Sequence, residues 1–355
     1  MKDRRKKPEL LCPAGDPEIL RVAVRYGADA VYIGGEAFGL RQNAGNATIP
    51  ELRSAVEFAH EKGVKVYVTA NVLAHDRDIQ EAGSYFGELG TVGMDAVLIA
   101  DPGMFSVCRR VLPSVPIHIS TQANNVNYET FRFWYELGVK RVVAGRELSL
   151  RELKEIRENV PDDMEIEAFV HGSMCISYSG RCLLSNVLAG RDANLGNCAH
   201  PCRWNYVLME ETRPGEFFPI EENERGTFIM NSKDLCMVDH LPDLLNAGVD
   251  SLKIEGRMKN ALYVATVTRA YRLAIDDASD RPEVYEKNRL HYREEIEKCT
   301  VRGFSTGFFF GRPGAEDMIY DRQTYLKNYV YLGTAGETRD GFTALVQKNK
   351  FSVGN

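Results

Sequence analysis

Short aliphatic and β-branched runs alternate with amphipathic runs along the first two-thirds of the chain, and this alternation constrains the fold most. Such alternation is typical of a parallel β-sheet whose strands are connected by helices. The clearest run, Val97-Leu98-Ile99-Ala100, is apolar throughout, as expected for a strand buried on both faces. Eight strands are predicted in total, at 9–12, 30–33, 65–69, 96–100, 117–120, 141–144, 165–170 and 251–255.

The intervening runs carry helix-end signals. Asp16 precedes Pro17 as an N-cap before a first-turn proline, and Ser149 with Glu152 has the spacing of a capping box. Eight strand–helix units match a closed TIM-like β/α barrel. An open doubly wound sheet is the competing fold, but no Gly-x-Gly-x-x-Gly turn follows the first strand. We therefore expect an α/β protein with a barrel.

The regular spacing is interrupted between the predicted seventh and eighth strands, where about 173–233 form a long insertion. Helices are predicted near 259–277 and 282–298 after the last strand. We expect a barrel domain over 1–303 and a partial β domain over 304–355, with strands at 329–332 and 343–347. Two strands are too few to close such a domain, so we expect a longer intact protein or pairing with another chain.

Charge and hydropathy narrow the functional classes. The net charge is −6 and the pI about 5.8, so no global positive field indicates nucleic acid, although a local basic patch could still bind RNA. No apolar run approaches the ~20 residues that cross a bilayer, and no secretory signal follows the basic N-terminus. We expect a cytoplasmic protein without a membrane partner.

Four of the eight cysteines, Cys175, Cys182, Cys198 and Cys202, fall in the insertion, separated by six, fifteen and three residues. Cytoplasmic cysteines favour metal binding, catalysis or burial over disulfides. Four thiolates suit zinc or an iron–sulfur cluster, and only the last pair has the spacing common in zinc sites. Buried core thiols are the alternative, and the Gly-, Ser- and Asn-rich surroundings argue against it.

Polar residues at the carboxyl ends of the predicted strands should converge on one face of the barrel. Arg146 and Arg257 could bind a carboxylate bidentately, or only neutralise Glu147 and Glu255. His171 precedes Cys175 by four residues. The two could act as a hydrolytic base and nucleophile, or the histidine could donate a hydrogen bond to a cluster sulfur. No His-Glu-x-x-His or Gly-x-Ser-x-Gly motif is present.

Two long motifs carry a family resemblance. Glu167-Ala-Phe-Val-His-Gly-Ser-Met-Cys175 and Gly180-Arg-Cys182-Leu-Leu-Ser185 match every specified position of the signature of the collagenase-like peptidase family U32. Leu11-Cys-Pro-Ala-Gly15, Lys253-Ile-Glu-Gly-Arg257 and Pro201-Cys202-Arg-Trp204 extend the resemblance over nearly the whole chain. Within the family the chain most resembles the prephenate-dependent tRNA hydroxylases, notably around Cys198 and Cys202.

The resemblance implies an oxygen-independent enzyme that hydroxylates C5 of the wobble uridine, with prephenate as hydroxyl donor and a [4Fe–4S] cluster on the four insertion cysteines. Cys236 is a reserve ligand, because some relatives use a later cysteine, but helical spacing around it indicates a packed thiol. The partners implied are tRNA, a small dicarboxylate, and a paralogous U32 chain or a second copy.

We expect Arg146 and Arg257 to hold the donor, Gln122, Asn124 and His171 to face the entering base, and Glu255 to contribute to catalysis. A peptidase is the alternative function. A non-catalytic, metal-stabilised RNA-binding module is a third, and the polar strand ends argue against it.

Overall fold

In the computed structural model of the chain, eight parallel strands close into a barrel. The structure describes residues 7–40, 44–175, 182–204, 207–208, 218–219, 232–299, 302–314, 317 and 329–352. The barrel strands pair in the order β1 to β7 and then β11, which closes the barrel by pairing with both β7 and β1. Their bounds are β1 Glu9–Pro13, β2 Ala30–Gly34, β3 Lys65–Ala70, β4 Ala96–Ile99, β5 Ile117–Ile119, β6 Arg141–Val143, β7 Glu165–Ser173 and β11 Ser251–Ile254. The predicted TIM-like barrel is confirmed.

Helices occupy the connections between the barrel strands, and two more follow the last strand. The bounds are α1 Pro17–Arg25, α2 Ile49–His60, α3 Asp76–Leu89, α4 Pro102–Val111, α5 Tyr128–Glu136, α6 Leu150–Asn159, α7 Leu184–Ala189, α8 Leu241–Asn246, α9 Ala261–Asp280 and α10 Pro282–Glu297. The Asp16 side chain accepts from the Ile19 amide, and Ser149 with Glu152 forms the reciprocal capping box. None of the described helices is long and apolar enough to cross a membrane.

The core has two parts. Aliphatic side chains of the strands pack against the surrounding helices in one large buried cluster. A smaller cluster fills the barrel interior, and it consists of Leu11, Ala30, Tyr32, Tyr67, Ala96 and Leu98. Interior side chains of this kind make a β/α barrel a packed core and confine open space to its ends.

The insertion leaves β7 at its carboxyl end and returns beside it. Strand β10 (Asp234–Cys236) pairs antiparallel with the end of β7, so that Cys236 lies opposite His171. The described parts of the insertion include α7, a 3₁₀ turn at Pro201–Arg203, and the short strands β8 (Val207–Leu208) and β9 (Phe218–Pro219). The predicted insertion between the seventh and eighth barrel strands is confirmed. Its signature residues 176–181 lie outside the described residues.

Three further strands follow or flank the barrel. β12 (Phe304–Ser305) pairs with β10, and β13 (Gly333–Arg339) forms a hairpin with β14 (Phe342–Gln347). The strand predicted at 343–347 is confirmed, whereas the one predicted at 329–332 is wrong, because the hairpin begins at Gly333. The predicted domain boundary near residue 304 stays a prediction.

Candidate functional site

A small cavity opens inside the barrel at the carboxyl ends of the strands, and we call it the mouth cavity. Its volume is about 30 Å³, enough for one or two water molecules. Its lining is strongly polar for a barrel interior, and it consists of Tyr32, Leu40, Thr69, Asn71, Leu98, Ser120, Gln122, Phe169, Lys253, Glu255 and Arg257. Three residues that the sequence assigned to the mouth, Gln122, Glu255 and Arg257, therefore share one cavity.

Arg257 is held in the cavity wall by β3 and by the loop that follows β2. Its side chain is only 4% exposed, and it donates hydrogen bonds to Thr69 Oγ1 at 3.0 Å and to Asn46 Oδ1 at 2.6 Å. A Cβ at Gly34 would lie 1.9 Å from Arg257 Nη2, so β2 needs a glycine at its end to admit the guanidinium. Arg257 is thus a fixed, buried positive charge beside the cavity.

Arg146 does not line the mouth cavity. Its guanidinium carbon lies 3.9 Å from the centroid of the Phe169 ring, and Nη2 donates to Glu255 Oε2 at 3.1 Å. Nη1 donates to the Ser173 carbonyl at 3.3 Å. Arg146 therefore orients Glu255 and the end of β7 behind the cavity wall, while Glu255 itself faces the cavity.

Gln122 and Asn124 lie in the turn after β5, and the turn separates them. Asn71 Nδ2 donates to Gln122 Oε1 at 3.1 Å and to Ser120 Oγ at 3.1 Å, which fixes the Gln122 amide at the cavity. Asn124 takes a left-handed conformation with φ of 58° and is not among the cavity-lining residues. Gln122 therefore lines the mouth cavity, and Asn124 does not.

His171 is enclosed on the outer side of the barrel. Its ring is 1% exposed and packs among Tyr263, Tyr271 and Phe304, with centroid distances of 6.0, 5.4 and 5.6 Å. Burial lowers the pKa of His171 to about 4, so the ring is neutral at physiological pH. The structure does not bring His171 to the mouth cavity.

The four insertion cysteines lie outside the packed core. Cys175 is exposed, and the other three are half-buried. The Cys182 amide donates to Asn194 Oδ1 at 3.3 Å, and the His200 amide donates to the Cys198 sulfur at 3.3 Å. Among the described residues, no three His, Cys, Asp or Glu side chains are gathered closely enough to hold a metal ion. The four thiols match an iron–sulfur cluster in ligand type but not in arrangement.

Cys236 differs from these four. It is buried in β10, and burial raises the pKa of its thiol to about 12. The helical spacing inferred around it from the sequence is wrong, because Asp234–Cys236 is a strand held by β7 and β12. Its packed environment nevertheless agrees with the interpretation of a core thiol.

A buried charge network in the barrel was missed from the sequence. Lys253 Nζ donates to Glu167 Oε1 at 2.6 Å, and Ser251 Oγ donates to Glu167 Oε2 at 3.4 Å. Arg141 pairs with Glu167 at 3.4 Å and with Glu9. The available signal was the two-residue spacing of Ser251 and Lys253, which places both polar side chains on one face of the last strand.

Comparison with known proteins agrees with the motifs. The family model described as peptidase family U32 matches residues 15–319. The tRNA hydroxylation protein P1 of Bacillus subtilis (strain 168) is 44% identical over 354 residues, covering 99% of this chain and 82% of that protein. The tRNA hydroxylation protein P of Escherichia coli (strain K12) is 38% identical over 395 residues, covering 98% and 85%.

A third relative acts on a different RNA. The 23S rRNA 5-hydroxycytidine C2501 synthase of Escherichia coli (strain K12) is 37% identical over 268 residues, covering 76% of this chain and 39% of that enzyme. The match to the family model runs from α1 onward and includes the cavity-lining residues and the four insertion cysteines. The chain therefore belongs to peptidase family U32.

Proposed function

We propose that this chain hydroxylates C5 of the wobble uridine of tRNA. The observation that carries the proposal is the 44% identity to a tRNA hydroxylation protein over 99% of the chain. A base within folded RNA must be extruded to be modified, and a base in an open loop costs least to extrude. A tRNA substrate also implies a cytoplasmic enzyme.

The hydroxyl donor in this proposal is prephenate, held at the mouth cavity. Arg257 supports this assignment, because a buried guanidinium matches a carboxylate through paired hydrogen bonds. Gln122 and Glu255 supply an amide and a carboxylate on the same wall. A cavity of about 30 Å³ cannot hold the donor, so side chains at its rim move when the donor enters.

The proposed cofactor is a [4Fe–4S] cluster on Cys175, Cys182, Cys198 and Cys202. One of these cysteines is exposed and three are half-buried, which supports the assignment, since a metal ligand must be accessible. The cysteines are not gathered in the described structure, so cluster binding has to draw them together. We assign the cluster no step in the reaction.

A peptidase is less well supported. A cysteine–histidine hydrolase needs a histidine that can approach both the thiol and the substrate. His171 is enclosed by three aromatic rings, and the low pKa of its ring leaves it a weak base. The family name therefore does not outweigh the similarity to RNA hydroxylases.

The test is expression of the chain in an Escherichia coli strain whose tRNA lacks 5-hydroxyuridine, followed by mass spectrometry of tRNA nucleosides. We expect 5-hydroxyuridine or its derivatives to appear. Unmodified tRNA from cells that contain the folded, iron-loaded protein would contradict the proposal. Gelatin cleavage that is abolished by Cys175→Ala would then favour the peptidase.

The donor assignment is tested by comparing Arg257→Lys with Arg146→Lys in the purified enzyme. Arg257→Lys keeps the charge but loses the paired N–H donors of the guanidinium. We therefore expect the half-saturating prephenate concentration to rise about tenfold or more with iron content unchanged. Arg146→Lys should change it less, because Arg146 lies behind the cavity wall. Equal half-saturation in Arg257→Lys and the parent enzyme would make Arg257 structural.

A further inference from the structure

Lys253 is a buried amine in the interior of the barrel. Its side chain is 3% exposed, and Nζ lies 4.5 Å from the centroid of the Tyr32 ring and 5.4 Å from that of Phe169. It lines the mouth cavity together with Arg257. The two cationic side chains therefore face the same small cavity at the end of the barrel.

The surroundings of Lys253 allow it to become neutral. Burial lowers the pKa of Lys253, although the adjacent Glu167 carboxylate opposes this effect. Glu167 also pairs with Arg141 and accepts a hydrogen bond from Ser251. When a proton passes from Lys253 to Glu167, no isolated buried charge is left, because Arg141 still pairs with Glu9.

The mouth cavity thus combines a carboxylate-binding group with an amine that can act as a nucleophile. A buried lysine that has lost its proton is a nucleophile that adds readily to carbonyl carbons. A molecule that carries a ketone next to a carboxylate would use both residues at once. We propose that Lys253 forms an iminium with a 2-oxo carboxylate whose carboxylate is bound by Arg257. This inference rests on the proposed function, because it identifies the donor class as 2-oxo acids.

The step conserves atoms and charge. Glu167 accepts a proton from the Lys253 ammonium, and the amine nitrogen then bonds to the ketone carbon to give a carbinolamine. The same proton returns to the hydroxyl group, the C–O bond breaks, and water leaves. The ammonium and the ketone become an iminium and water, with no change in oxidation state. The iminium withdraws electrons from neighbouring bonds of the bound acid.

The alternative is that Lys253 only neutralises Glu167. Only the iminium role forms a covalent bond to the carbonyl carbon, and reduction can trap that bond. The experiment treats the purified full chain with phenylpyruvate and sodium cyanoborohydride and then maps modified lysines by peptide mass spectrometry. We expect a reduced adduct on Lys253 that requires both reagents.

Two variants serve as controls. Lys253→Arg retains a cation beside Glu167 but cannot form an iminium, so the adduct should be lost. Lys259→Arg should keep it, because Lys259 lines a different cavity. If Lys253→Arg does not fold, Lys253→Met combined with Glu167→Gln removes both charges and should also lose the adduct. A folded parent protein that shows no adduct, or adducts only on other lysines, would overturn the inference.

The outcomes separate this inference from the proposed function. Formation of 5-hydroxyuridine in cells without any trapped adduct would sustain the hydroxylase and overturn the iminium. An adduct on Lys253 in a protein that leaves tRNA unmodified would sustain the iminium and overturn the hydroxylase.

Discussion

The barrel and the insertion use the same residue types in opposite ways. Outside the insertion, the thiols of Cys12, Cys108, Cys236 and Cys299 are buried, and burial raises the pKa of each thiol, to about 12 for the first three. The four insertion cysteines are exposed or half-buried. Only a thiolate is a good metal ligand or nucleophile. The environment of each thiol, and not the number of cysteines, therefore distinguishes packed cysteines from candidate ligands in this chain.

The largest expected effect is in the insertion. Replacing Cys175, Cys182, Cys198 or Cys202 by Ala should remove most iron and the brown colour of an anaerobic preparation, because each substitution deletes a thiolate ligand. Cys236→Ala should keep both and serves as the matched control. Iron content and visible absorption measure the result. An iron-replete Cys202→Ala beside a colourless Cys236→Ala would show that Cys236 and not Cys202 is the ligand. Zinc in place of iron would reject the iron–sulfur cluster.

The next effect is in the barrel. Arg141→Gln should lower the free energy of unfolding by about 3–5 kcal/mol, because it removes a cation from the buried carboxylates of Glu9 and Glu167. Urea denaturation of the metal-free protein measures the change. Arg289→Gln is the control, since its pair with Glu286 is exposed and should contribute at most about 1 kcal/mol. Similar losses in both variants would show that the buried network contributes no more than a surface pair.

The smallest expected effect lies where β7 passes from the barrel into the insertion. The folded-state pKa of His171 is about 4, below its unfolded value of about 6.5, so the unfolded chain binds the proton first as pH falls. Stability from this group is present above the unfolded pKa and is lost on acidification. Between pH 7 and pH 5 the parent should lose about 2 kcal/mol more than His171→Phe in urea unfolding. Parallel pH profiles would place His171 in a solvated site that belongs to the insertion.

The barrel could be predicted because its strands have a clear pattern in the sequence. All eight predicted strands correspond to observed ones, since strands buried on both faces are apolar at nearly every position. Cys236 marks the limit of this reasoning. A three-residue strand followed by a 3₁₀ turn and a short helix gives the same pattern as one longer helix, so periodicity alone could not separate them.

The site could be predicted less well, and His171 shows why. Strict alternation along β7 would place it inside the barrel with Glu167 and Phe169. The register with β11 shifts between Lys253 and Ile254, where Val170 is the extra residue, and this bulge turns His171 outward. A bulge leaves no clear signal in a single sequence. The positions of Gln122 and Arg257 depended only on strand ends and were therefore easier to anticipate.

The pairing of β10 with β7 has a consequence for how this fold can diverge. The sheet itself brings together the two ends of the segment 174–233, so the barrel fixes the distance across the insertion whatever its length. The entropy of closing a loop rises only with the logarithm of its length, and a doubling costs about 0.6 kcal/mol. Residues can therefore be gained or lost between these strands with little effect on the barrel. The insertion can therefore change in length and sequence during evolution while the eight barrel strands keep the same registers.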